Sequence, residues 1–279
     1  MKVRTMTMMA GLLGALAAGP AAATAQANCE HRSEVELQGR AQASLEVDAG
    51  AGSLVVTGVD GLAEVRVAAT LCASDRERLE ALEVSLEGDR IDTRYPRPSR
   101  GRWWGGNRYA RIDLVVKVPA GTNLRVDDGS GSIEVSGVGN VVVDDGSGSL
   151  RLRSVASVVV EDASGSLTIQ DVAGSVDVED GSGSVTIEDV TGSVEVDDGS
   201  GSLTVRRVGG DVVITDGSGS IEVRTVDGSV RVDGGGSGSI TVREVGGDLV
   251  VTDTRRSRIR YSEIGGTVDL PPDRRSGRG

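Results

Sequence analysis

Carboxylate pairs recur along this chain at a nearly fixed step: Asp127-Asp128, Asp144-Asp145, Glu161-Asp162, Glu179-Asp180 and Asp197-Asp198, followed by Asp216 and Asp233. Each stands just ahead of a run of glycine, alanine and serine. If successive copies stack on one another, these groups form ladders with rungs about 5 Å apart, where neighbours repel by about 1 kcal/mol per pair even at the dielectric of water. Such a ladder invites a hard cation with oxygen ligands, so although no cofactor is expected, Ca²⁺ is the alternative to weigh, with Asp128, Asp145, Asp162, Asp180, Asp198 and Asp216 as its candidate metal ligands. The competing reading is ordinary turn chemistry, in which Asp before Gly starts a turn and solvated charge keeps a stackable rod soluble. Position favours turns, because the Asp-rich glycine repeats that bind calcium place Asp after the glycines.

A second concentration of unusual residues is the loop carrying Arg100, Arg102, Trp103, Trp104 and Arg108, which holds both tryptophans of an otherwise acidic chain. Exposed Trp beside Arg suits contacts with carbohydrate, anionic polymer or protein, so these five are the candidate partner-binding residues. The alternative is that the two tryptophans close an open end of the fold. Little else could do chemistry. Beyond residue 27 the chain has one histidine, His31, one lysine, Lys117, and no phenylalanine, so Ser/His/Asp triads, multi-histidine metal sites and lysine nucleophiles lack their parts. No catalytic residue is assigned and no enzyme is expected.

The elements that would position these residues follow from a repeat. Aligning on the aliphatic residue after each Gly-Ser run gives Ile133, Leu150, Leu167, Val185, Leu203, Ile221, Ile240 and Ile259, steps of 17 to 19 residues. Each unit repeats one skeleton, as in Leu203-Thr-Val205, Val208, Gly209-Gly210, Val212-Val-Ile214, Thr215-Asp216. Two alternating triplets predict two short strands per unit, with glycine-rich corners between them. Five inward aliphatics cannot hold one coil in order alone, but stacked coils share strand hydrogen bonds and bury one another's faces. The fold class is therefore all-β, a single-stranded β-solenoid of 17–19-residue coils. An earlier copy, Leu45 to Gly61, has the same order of strand, corner and strand, and the pattern lapses after Val67 until Leu124. This places a solenoid at about 43–270 with a small α+β insertion at about 68–122. Inside the insertion, Ser74-Asp-Arg-Glu77 reads as a capping box before a helix to about Leu82, followed by strands near 82–87, 90–95 and 110–118.

The ends carry different signals. Lys2 and Arg4, an apolar run and Ala25-Gln26-Ala27 form a secretory signal peptide over residues 1–27, ahead of a lead-in at 28–42. Export permits a disulfide between Cys29 and Cys72, the two cysteines of the chain. The last corner changes to Arg255-Arg-Ser-Arg258, and an Arg-rich tail at 271–279 follows, which reads as a terminal cap against further strand addition. The formal charge of −12 disfavours nucleic acid, and no later apolar run is long enough to span a membrane.

At VPAGTNLRVDDGSGSIEVSGVGNVVVDDGSGS, Val118 to Ser149, the chain resembles the toast-rack, adhesin-like family of bacterial envelope β-strand-repeat proteins. The resemblance implies a stacked β-strand rack exported to the periplasm or cell surface, brings no catalytic residues, and links some relatives to envelope-stress sensing. The function expected is a rigid, acidic, non-enzymatic scaffold or adhesin-like module that contacts a protein or cell-wall polymer and is able to associate edge to edge with itself. A stress sensor that binds cationic peptides is one alternative. A β-helix enzyme acting on polysaccharide is another, disfavoured because short uniform corners leave no cleft.

Overall fold

The computed structural model describes residues 29–96, 108–234 and 236–272. The segment 1–27 expected to be a signal peptide, Arg100, Arg102, Trp103 and Trp104 of the loop, and the tail from residue 273 lie outside the described residues. The chain is a β-solenoid whose coils each contribute one strand to each of two twelve-stranded sheets packed face to face. One sheet holds the strands that follow the Gly-Ser corner and the other those that precede it.

The repeat register is the stacking register. Ile133, Leu150, Leu167, Val185, Leu203, Ile221, Ile240 and Ile259 lie directly over one another in parallel pairing. The earlier copy joins the same column, for Leu54 pairs with Ile133 and Leu45 with Leu124. Within a coil, Leu203, Val205, Val208, Val212 and Ile214 are all buried, and equivalent residues from every coil fuse into one continuous apolar core. The step from Val205 to Val208 is three residues where alternation demands two. The extra residue is absorbed as a bulge: Arg206 pairs with Arg224 and Val208 with Val226, while Arg207 is skipped and takes a left-handed conformation, φ 55°. Ser154, Asp171, Asp189, Thr225, Glu244 and Glu263 repeat that conformation in their own coils.

Glycine at the Gly-Ser corner is required by stacking. A Cβ placed on Gly201, at φ +151°, would lie 1.9 Å from the carbonyl oxygen of Gly183 one coil below.

The N-terminal end is closed by antiparallel structure. Strand β1 (His31–Arg40) pairs with β4 (Glu64–Ala73), and β4 with β7 (Ala110–Pro119), which lies parallel to β3 (Ala51–Val59) as the first rung of its sheet. On the opposite sheet β2 (Ser44–Asp48) carries the hairpin β5 (Glu83–Glu87) and β6 (Arg90–Arg94). The lead-in is thus a strand, and the pattern departs at Glu64, a few residues before Val67. The short helix α1 (Arg76–Ala81) is capped by Asp75, whose carboxylate accepts the Arg78 N–H at 2.8 Å; Ser74 donates to Asp75 instead of capping. Aspartate takes the capping position as the stronger acceptor next to the helix. A disulfide joins Cys29 to Cys72 at the end of β4. No helix among the described residues is long and apolar enough to cross a membrane.

Candidate functional site

The carboxylate pairs sit where each coil leaves one sheet for the other. Their strands alternate with period two, so of each pair one member must face out and the other in. Asp127, Asp144, Glu161, Glu179 and Asp197 form the outer row and are exposed. Asp128, Asp145, Asp162, Asp180, Asp198 and Asp216 form the inner row and are buried, between 1% and 5% exposed. Both rows are in register from coil to coil, and the inner one is bounded by Ala49 at one end and by Gly234, which pairs with Asp216, at the other.

The expectation of solvated turn aspartates is corrected here. The inner aspartates do make turns, because Oδ1 of Asp145, Asp162, Asp180 and Asp198 accepts the N–H of the serine two residues on, at 2.9–3.2 Å. They are not solvated, because they occupy the next inward position after two buried aliphatics. Burial pushes Asp128 up to about 7 and Asp145, Asp180 and Asp216 up to about 6, and the carboxylate on an adjacent coil adds to each shift. Burial also raises Asp162 and Asp198.

The rows share a shallow groove of about 480 Å³, lined by Asp144, Glu161, Glu179 and Asp197 outside and by Asp145, Asp162 and Asp180 within. Arg90 pairs with Glu46 at 2.6 Å and Arg206 with Glu222 at 3.3 Å, and among the described residues no ion pair reaches Asp144, Glu161, Glu179 or Asp197. The groove therefore presents an almost unbroken strip of negative charge that follows the stacking axis. Among the described residues no three His, Cys, Asp or Glu side chains converge as the ligands of one ion would. The strip suits positive charge spread along an extended molecule better than a single ion, since a calcium ion gathers six to eight oxygens at one point.

Of the five loop residues, only Arg108 is described, and it is exposed. The loop leaves the fold at Tyr95, whose hydroxyl donates to Ala49 O at 2.6 Å and accepts the Ala51 N–H at 2.9 Å beside the first corner.

A family model described as Toastrack DUF4097 matches residues 73–260. Among solved structures, the chain is similar to a presumptive adhesin from Parabacteroides distasonis ATCC 8503 at 11% identity, with 85% of this chain and 97% of that one covered and a TM-score of 0.32. It is also similar to a presumptive cell adhesion protein from Clostridium sporogenes ATCC 15579 at 10% identity, with 85% and 100% covered and a TM-score of 0.27. No curated protein matches the chain significantly.

Proposed function

Because the chain belongs to the Toastrack DUF4097 family, we propose that it works as a non-enzymatic interaction module of the bacterial envelope, a rigid acidic rod whose corner groove docks a cationic partner. The observation that carries this reading is the pair of carboxylate rows in register along one groove. A partner that carries lysines or arginines along its length, such as an extended basic peptide, meets a repeated charge with side chains long and flexible enough to reach successive rungs. The same chemistry serves adhesion to a basic protein and sensing of cationic peptides at the envelope. Export by the signal peptide is part of this proposal, and the Cys29–Cys72 disulfide agrees with it.

The test is binding of a labelled arginine-rich peptide, read by fluorescence anisotropy at low and high salt. A docked cation favours the charged form of the inner row, so affinity should rise from pH 5 to pH 8 with proton release. The variant Asp144→Asn/Glu161→Gln/Glu179→Gln/Asp197→Asn removes only exposed charge, and should lose binding while melting no lower than the parent. Equal affinity in that variant, or no binding by the parent at low salt, overturns the proposal. Calcium is the rival occupant, and a Ca²⁺-specific rise in melting temperature over EDTA would return the groove to it.

A further inference from the structure

The two ends of the rod are finished differently. At the N-terminal end, the strands β4 and β1 and the hairpin β6–β5 continue the two sheets past the first coil until they meet, Leu86 of β5 reaching so close to Gly39 of β1 that a Cβ there would lie 2.8 Å from it. At the C-terminal end, the last strands, Ile259–Ile264 in one sheet and Val268–Asp269 in the other, are each paired on one side only among the described residues. Their inward positions still carry large residues. Tyr261 pairs with Val242 and is 41% exposed where Val242 is 0%; Val268 pairs with Leu249 and is 38% exposed where Leu249 is 0%. In the corner expected to cap this end, Arg258 donates to Gly236 O at 2.9 Å, and Arg256 lies over the Tyr261 ring at 5.3 Å yet leaves that residue 41% exposed.

We propose that this open end is an interface for a second copy of the chain, tail to tail, with Ile259–Ile264 of the two copies paired antiparallel. Three features select that occupant. A copy of the same end offers both sheet edges at the same separation and the same apolar cross-section, so both sheets continue at once and no new edge is left. Antiparallel pairing about Tyr261 sets inward position against inward position, ring against ring, with Arg260 opposite Ser262 of the second copy. It also brings the basic flank of one strand, Arg256, Arg258 and Arg260, toward the acidic flank of the other at Glu263, whereas parallel addition would lay like charges over like.

The experiment is sedimentation equilibrium of the purified protein over a range of concentrations. A reversible dimer is expected. Tyr261→Asp should weaken it about tenfold or more without changing circular dichroism or melting, since Tyr261 is already half exposed in one chain. Arg260→Glu should weaken it as well, and adding Glu263→Arg should restore it. A monomer at every concentration overturns the proposal, whether the end is then bare or covered by the chain's own tail. So does a dimer that is indifferent to Tyr261→Asp, and so does failure of the charge exchange to restore pairing.

Discussion

Each coil turns twice, and the two corners treat the same side chain in opposite ways. At the Gly-Ser corner, Asp145 is buried, accepts an N–H from its own coil and faces carboxylates above and below, and its pKa rises to about 6. At the other corner, Asp248 is exposed and accepts the N–H of Thr267 at 2.7 Å and its hydroxyl at 2.9 Å from the next coil, and those bonds hold its pKa below the usual range. The second corner is a chain of such links, in which Ser193, Asp211, Ser229 and Asp248 each accept a backbone N–H from the coil that follows. One corner therefore joins coils through side chains, and the other, from the coil of Asp128 to that of Asp216, through backbone. The acid in the backbone corner stores repulsion between coils, while the acid in the side-chain corner ties coils together.

The harshest way to break the backbone corner is Gly201→Val. Its Cβ would stand 1.9 Å from Gly183 O at a φ that branched residues avoid, and displacement of one corner spreads to both neighbouring coils. A loss of at least about 3 kcal/mol is expected in urea unfolding followed by circular dichroism. Stability within about 1 kcal/mol of the parent would show that the corners do not stack tightly.

Charge sharpens the comparison further, with opposite signs at the two corners. The inner row has folded pKa values above the unfolded value of about 4, so the folded state binds protons more tightly there. Stability contributed by this row is complete below about pH 4, and is lost as pH rises through about 6 and 7. The melting temperature should be higher at pH 5 than at pH 8. Asp145→Asn keeps an acceptor for the Ser147 N–H and removes the charge, so it should stabilise at pH 8, by about 1 to 3 kcal/mol, and much less at pH 5. Asp248→Ala should do the reverse. Its lowered pKa means stability that is present above about pH 4 and fades as pH falls below that, so the variant should melt lower at pH 8 and approach the parent in acid. Two shifts of the same sign would mean that the corners do not differ electrostatically.

The stacking was legible because it is written in spacing: the aliphatic column and the copy from Leu45 to Gly61 needed only alignment. The five inward residues of a coil were legible as well, from alternation. The site was half legible. The inward residues cease to be apolar after Ile214, although the same alternation carried one step further reaches Asp216 and predicts a buried carboxylate in each coil from Asp128 to Asp216. Polarity alone suggests exposure, and period-two geometry overrules it. The C-terminal end is less legible: arginines and prolines after the last repeat look like a stop signal, yet Tyr261 and Val268 at inward positions are 41% and 38% exposed, whereas at the other end β1 and β5 meet across the core.

The gentlest test concerns the left-handed residue of the second corner. The skeleton demands a bulge between the second and third inward residues of the coil, and seven different coils fill it with Ser154, Asp171, Asp189, Arg207, Thr225, Glu244 and Glu263. In these seven coils glycine is not needed, unlike at Gly201, because the bulged residue lies at the surface. Thr225, at φ 58°, is the β-branched member and the most strained of the set, since branching at Cβ crowds the left-handed conformation. Its hydroxyl donates to Glu244 at 2.6 Å, and an asparagine amide can replace that donor. Thr225→Asn should therefore stabilise by about 0.5 to 1 kcal/mol in thermal or urea unfolding. A loss instead would mean that the hydrogen bond to Glu244 outweighs the backbone strain, and that the second corner is held by side chains even at its bulge.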